Sequence, residues 1–298
     1  MTPIQEVIQN RTTAEALVPP LDKKEWAEKK ERERQEAFKM VRQVAENCRD
    51  NGTILREVLN IQSRFPQFST GNILLIAGQM PSATDLQDYA TWKERGGFIR
   101  RGAAGVSVFH PGSIYTKRDG TKGIRYDLKK VFDISQVVVR RPRLEQQEPV
   151  SEKTLTALFA TVPCPVKVED LGQDKPVSAR YLPEEKVLVI NHSGMVKDLM
   201  REVSREAAMA FLSQGERMDG PSEFIAKGAS YILCRRWNIP EEDSLFHDFP
   251  KKFRDMDAEG VKKTLSQMRY LSHAIQAGMD SYLEKERSAL VPAEEKAV

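Results

Sequence analysis

The chain has 298 residues, of which 40% are hydrophobic and 30% are charged. That length accommodates two ordinary domains, and the apolar fraction is ample for buried cores. The longest strongly apolar run, residues 73–77, is too short to span a bilayer, so no membrane association is expected. The three cysteines are scattered and odd in number, which favours reduced thiols in the cytoplasm over a disulfide framework.

The positive charge is concentrated in one short segment. Residues 1–92 carry 12 Lys and Arg against 13 Asp and Glu, a net of −1, and residues 144–298 carry 21 against 26, a net of −5. Residues 93–143, which we call the basic block, carry 13 against 4, a net of +9. A surface of this kind attracts polyanions, nucleic acid above all.

The order of helical and strand patterns predicts an α+β protein of two domains. A flexible tail at 1–20 precedes the first domain, 21–140. A polar linker with two prolines, 141–152, leads to the second domain, 153–285, and 286–298 form another tail.

Apolar spacing and turn signals predict the individual elements. Helices are expected near 22–50, 53–64, 70–79, 84–95, 196–214, 222–237 and 258–285. Short strands are expected at 106–109, 130–134, 165–168, 178–181 and 187–190. Asp119-Gly120 is a turn signal between the first two strands and predicts a hairpin.

Aromatic residues are interleaved with the cations of the basic block. A protein that binds single-stranded nucleic acid needs both types, because cations neutralise phosphates and rings stack on bases. Core packing is the alternative for any single ring, Trp92, Phe98 and Phe132 included. The candidate DNA-binding residues are Trp92, Arg95, Phe98, Arg100, Arg101, Lys117, Arg118, Lys122, Arg125 and Tyr126.

An ordered set of motifs over residues 65–138 resembles the N-terminal domain of the ArdC antirestriction family. Its elements are residues 68–72, FSTGN, before an apolar helix, then Trp92, Gly96-Gly97, Arg100-Arg101-Gly102 and the strand Val131-Phe132-Asp133. Asn72 is expected to hold a loop by hydrogen bonds. The resemblance implies a single-stranded DNA partner and a mobile genetic element, with a role in antirestriction, conjugation or DNA handling.

The second domain resembles the zincin-like metallopeptidase domain of ArdC-like proteins, without its metal motif. Where the family has His-Glu-x-x-His, this chain has Arg201-Glu202-Val203-Ser204-Arg205. A guanidinium keeps its proton and has no acceptor lone pair, so two arginines cannot ligate zinc. On the next helix Glu223 is kept, but Lys227 stands at the second acidic position. We therefore expect no catalysis, no metal or other cofactor, and a helix stabilised by ion pairs.

Two alternatives stay open. One is a metallopeptidase with a rearranged site, for which His192 and His247 with Glu202 or Glu223 are the available ligands. The other is an interaction module whose basic block binds an acidic protein. In the main hypothesis, the second domain packs beside the first or recruits a protein partner.

Overall fold

The computed structural model describes residues 22–139, 150–169, 178–191, 195–214, 221–240 and 243–290. Contacts divide the chain into two compact units, Met1–Lys39 and Met40–Val298. The described part of the first unit is the start of a charged helix, which carries the ion pairs Lys30–Glu33 and Arg34–Glu31. The other described helices and all the described strands belong to the second unit.

Nine α-helices are present in the described residues, and four of them begin after a residue whose side chain caps them. Asn51, Ser69, Asp88 and Ser151 each accept a hydrogen bond from a backbone N–H of the first helical turn that follows. In chain order the helices are α1 (Lys23–Asp50), α2 (Gly52–Arg64), α3 (Thr70–Gln79), α4 (Tyr89–Glu94), α5 (Glu152–Thr161), α6 (Val196–Gln214), α7 (Ser222–Arg236), α8 (Lys251–Arg254) and α9 (Ala258–Leu290).

The strands form three small sheets. They are β1 (Leu86–Gln87), β2 (Gly97–Ile99), β3 (Val106–Thr116), β4 (Lys122–Asp133), β5 (Val137–Val139), β6 (Val166–Glu169), β7 (Ala179–Leu182) and β8 (Val187–Asn191). The sheet orders are β1-β4-β3, β2-β5 and β6-β8-β7. Only the β6–β8 pair is parallel among the described strands. This mixture of separate helices and small sheets confirms the predicted α+β class.

Helix α7 occupies the centre of the helical core. It packs against α6, α9 and α2, and at Gly228 it approaches α9 so closely that a Cβ there would clash with the Met268 sulfur. Tyr231 of α7 donates to Asn60 of α2 across 2.8 Å. Residues of both predicted domains therefore share this core, while the division at 141–152 itself stays a prediction.

Some boundaries differ from those expected. The single helix predicted at 84–95 is β1 followed by α4, because the Asp88 carboxylate accepts from Thr91 N–H and starts a helix only there. The short strands β2 and β5 were not predicted, and α9 continues to Leu290, into the predicted tail. No helix in the described part of the chain combines the length and apolar character needed to cross a bilayer.

Candidate functional site

The hairpin of β3 and β4 carries most of the basic block. Its base is buried at Val106, Val108 and Val131, and its outer half projects into solvent. The tip closes through Lys117 N–H, which donates to the Thr121 carbonyl across 2.8 Å. Gly120 there has φ +81°, a conformation that glycine adopts without strain. The predicted Asp119-Gly120 turn is confirmed.

Two side-chain amides of α3 cover the outer edge of β3. Asn72 donates to the Phe109 carbonyl (3.0 Å) and accepts from its N–H (2.7 Å). Gln79, two helical turns later, makes the same pair of bonds to Ser107, both 2.9 Å. An amide carries both a donor and an acceptor, so it replaces a neighbouring strand at an otherwise open edge. Asn72 thus forms the hydrogen bonds expected of it, to a strand edge rather than to a loop.

Asp133 and Trp92 fix the other side of the hairpin base. Burial opposes ionisation of Asp133, but N–H groups of Ser135, Thr84 and Asp85 donate to its carboxylate and lower its pKa overall. Trp92 is only 2% exposed, and its indole N–H donates to the Phe132 carbonyl across 2.8 Å. This placement corrects the expectation that Trp92 contacts DNA, because a buried ring presents no face to a base.

Two of the cations in this region are held by carboxylates. Arg95 pairs with Asp85 (3.1 Å), and Lys129 pairs with Asp88 (2.6 Å). The hydrogen bond from Lys129, together with those from Thr91, holds the pKa of Asp88 far below its usual range. These contacts anchor the hairpin and α4, so both cations are less available to a ligand.

Five other predicted cations are exposed and form no ion pair with any described residue. Arg100 and Arg101 lie on a turn after β2, where Ala103 N–H donates to the Arg100 carbonyl and Gly102 has φ +81°. Lys117, Arg118 and Lys122 lie at the hairpin tip. Arg125 is exposed on β4, between the tip and the base. The structure therefore places five of the predicted cations in two groups: a turn group of Arg100 and Arg101, and a tip group of Lys117, Arg118 and Lys122.

Aromatic rings accompany both groups. Phe98 is 66% exposed on β2, opposite the exposed Val138 of β5. Tyr126 is 43% exposed on β4 and contacts Phe109 edge to face. Ile114 and Ile124 are also exposed, although no prediction named them. The alternation of apolar residues along β4 was the available signal, and it is easily mistaken for a core-facing pattern.

Helix α6 carries Arg201 and Arg205 at the positions where the sequence resemblance expects histidines. Both arginines contact nearby residues. Arg201 lies 3.4 Å from Asp198 and donates to the Pro240 carbonyl (2.9 Å), and Arg205 pairs with Glu206 at 3.0 Å. On α7, Lys227 pairs with Glu223 at 2.8 Å. The hydrogen bond and charge of Lys227, aided by Arg205, lower the pKa of Glu223. Of the ion pairs on α6, Arg201–Asp198 has the predicted i,i+3 spacing, whereas Arg205 pairs with the residue next to it.

Glu202, which the sequence resemblance aligned with a general base, binds the backbone of a neighbouring strand. Its carboxylate accepts from Ser178 N–H (2.5 Å) and Ala179 N–H (2.9 Å), at the start of β7. Glu206, one turn later, accepts from Tyr181 N–H at 2.8 Å. The two carboxylates thus cover the free edge of β7, as the α3 amides cover β3.

The other metal-site residues do not converge in the part of the chain that is described. Among those residues, no group of three or more His, Cys, Asp and Glu side chains is arranged to hold a metal ion. His247 is exposed, and His192 lies outside the described residues. The rearranged metal site therefore gains no support from Glu202, which is bound to β7.

The architecture is that of an α+β protein with a basic hairpin and with arginines at positions 201 and 205 of helix α6. A metal-free crystal structure of the antirestriction protein ArdC from the R388 plasmid has this fold: TM-score 0.50, 16% identity, with 72% of this chain and 86% of that chain covered. A Mn(II)-bound structure of the same protein has a TM-score of 0.48 and 15% identity, with 71% of this chain and 85% of that chain covered. No family model matches, and no curated protein does. The resemblance to ArdC is thus confirmed as a shared fold.

Proposed function

We propose that the chain is a single-stranded-DNA-binding protein of a mobile genetic element, with a role in antirestriction or the related handling of transferred DNA. The observation that carries the proposal is the set of exposed cations that pair with no acid among the described residues, placed beside exposed rings on the hairpin and near the turn after β2. The antirestriction role rests on the fold shared with ArdC.

Charge favours a polyanionic ligand. The described part of the basic block, residues 93–139, carries ten Lys and Arg against four Asp and Glu, a net of +6. Of the four acids, Asp133 is buried in backbone hydrogen bonds, and Asp119 accepts from Thr121 inside the tip turn. A dense phosphate backbone is the ligand that gains most from such a surface, through release of its counterions.

The exposed rings favour a single strand over a duplex. Stacking on an aromatic side chain contributes about 1–3 kcal/mol per base, and only unpaired bases offer their faces. Tyr89, Phe98 and Tyr126 are all exposed within or next to the basic block. A duplex would meet the same cations but would leave these rings without a stacking partner.

In this proposal the second domain has a structural role and no catalytic one. Arg201 and Arg205 have no lone pair to offer a metal, and Glu202 is committed to β7. A protein partner for this region stays part of the hypothesis, with the cytoplasm as the compartment.

The decisive experiment is a titration of a fluorescein-labelled single strand, beside a duplex of equal length, at several salt concentrations. The site variant is Arg100→Gln with Arg101→Gln. The matched control is Lys251→Gln with Lys252→Gln, an adjacent exposed pair on α8 that removes the same charge. Loss of two phosphate contacts should flatten the slope of log K against log salt by about 1.4.

Three results bear on the proposal. Tight, salt-sensitive binding that prefers the single strand and weakens only in the Arg100/Arg101 variant supports it. Equal weakening in the control variant would mean that net charge alone attracts DNA, which refutes the assigned site. Absence of binding even at low salt would refute the function and favour an acidic protein as the ligand of the basic block.

A further inference from the structure

The two faces of the β3–β4 hairpin have different chemistry. Residues paired across antiparallel strands share a face, and the register pairs Phe109 with Leu128 and Ile114 with Ile124. Successive residues alternate between faces. One face, which we call the open face, therefore contains Ser107, Phe109, Pro111, Ile114, Thr116, Lys122, Ile124, Tyr126, Leu128 and Lys130.

The middle of the open face, Pro111, Ile114, Ile124 and Tyr126, is apolar or aromatic yet exposed to solvent. An antiparallel sheet normally packs its apolar face on the core and leaves the polar face to water. Here the buried residues Val106, Val108 and Val131 belong to the opposite face, and only at the base. Ile114 is 68% exposed and Ile124 48%. An apolar strip of this kind marks a site for a binding partner.

A β-bulge between Pro111 and Ile114 creates the strip. The register shifts by one residue there, which places Ile114 opposite Ile124. Without the shift, Tyr115 would lie opposite Lys122, on the open face. It pairs with Gly123 on the opposite face, where its ring lies so close that a Cβ on Gly123 would be 2.6 Å from it.

Charge identifies the kind of partner. Lys122 and Lys130 lie at the two ends of the strip, about 27 Å apart at the usual rise of a strand. Lys130 donates hydrogen bonds to the Gly105 carbonyl and the Ser107 hydroxyl. Both acceptors are uncharged, so these contacts do not neutralise the ammonium group. No Asp or Glu belongs to the open face, whereas the opposite face carries Asp127.

We propose that the open face is the surface that contacts the bases of a single-stranded nucleic acid. Bases pack on Tyr126, Ile114 and Ile124, and the phosphates run toward Lys122 and Lys130. A second copy of the chain fits less well, because a two-fold arrangement brings the lysines of both copies together. This inference rests on the proposed function and assigns its base-contacting residues.

The test compares two tyrosines on opposite faces of one hairpin. Tyr126 and Tyr115 are 43% and 50% exposed, so their replacement by Ala removes similar exposed rings. Tyr126→Ala should weaken binding of a labelled oligothymidylate about 5- to 100-fold, the range expected for a lost stack. Tyr126→Phe should retain wild-type affinity, and Tyr115→Ala should change it less than twofold. Circular dichroism confirms that each variant is folded.

The outcomes separate this inference from the proposed function. If the wild-type protein does not bind the oligonucleotide, the proposed function fails and the inference with it. If the wild type binds, Arg100→Gln/Arg101→Gln weakens it and Tyr126→Ala does not, the function survives and the open face is wrong. Equal losses in both Tyr→Ala variants also overturn the inference. Sedimentation of a dimer that Ile114→Ser/Ile124→Ser abolishes would assign the strip to a second copy.

Discussion

Replacement of Asn72 by Ala tests whether α3 holds the hairpin in place. Asn72 is 7% exposed and makes two hydrogen bonds to the Phe109 backbone. Two such bonds contribute about 2 kcal/mol, and leaving the Phe109 N–H and carbonyl unpaired adds about 1 kcal/mol. The higher helix propensity of Ala offsets about 0.6 kcal/mol. The free energy of unfolding should therefore fall by about 2–3 kcal/mol.

The assay is urea denaturation combined with amide hydrogen exchange. Exchange at Phe109 should accelerate, because its N–H loses its acceptor. Asn72→Asp should destabilise at least as much, since a carboxylate accepts from the N–H but repels the carbonyl. Gln67→Ala is the matched control: Gln67 is an exposed amide nearby and should stay within about 0.5 kcal/mol. If Asn72→Ala is as mild as that control, the edge-covering role is refuted.

Three further predictions concern the carboxylates of Asp133 and Glu202 and the two arginines at positions 201 and 205. Because the pKa of Asp133 is lowered by folding, its contribution to stability is complete above the unfolded pKa of 3.8 and is lost as the pH falls through the folded pKa. The Asp133→Asn variant should therefore be less stable than wild type at pH 7, and its free energy of unfolding should fall less on acidification. Urea denaturation between pH 2 and 7 measures both effects. Glu202→Ala should cost about 2 kcal/mol, because two β7 amides lose their acceptor, and an unchanged urea midpoint would contradict this. Arg201→His with Arg205→His should not bind zinc stoichiometrically by calorimetry, because the neighbouring Lys227 still supplies no acid and Glu202 stays on β7; one zinc per chain would refute that reasoning.

The local patterns were sufficient to predict most elements. The apolar stripe at 196–214 gave α6 with its observed bounds, and Asp119-Gly120 gave the hairpin tip. Both signals depend on residues close together in the chain, so no knowledge of distant contacts is needed. The strands β2 and β5 escaped prediction because three residues carry too little periodicity, and their pairing joins segments about forty residues apart.

In the candidate site, too, the local features were predictable and those that depend on distant contacts were not. The cations and rings of the basic block were visible as a group, but their individual exposure was not. Trp92 and Phe98 are both aromatic residues near arginines, yet one is buried against Phe132 and the other lies in solvent. The bulge that selects Ile114 over Tyr115 for the open face depends on cross-strand register, which no single strand encodes.

The sequence by itself determined the α+β class, the position of the positive charge and the absence of metal ligands at 201 and 205, because composition, periodicity and the chemistry of a guanidinium are properties of the residues themselves. Tertiary structure decided which rings meet solvent and that the Glu202 carboxylate binds the edge of β7. Burial and edge pairing arise from contacts between distant segments, so they become visible only when the chain is folded.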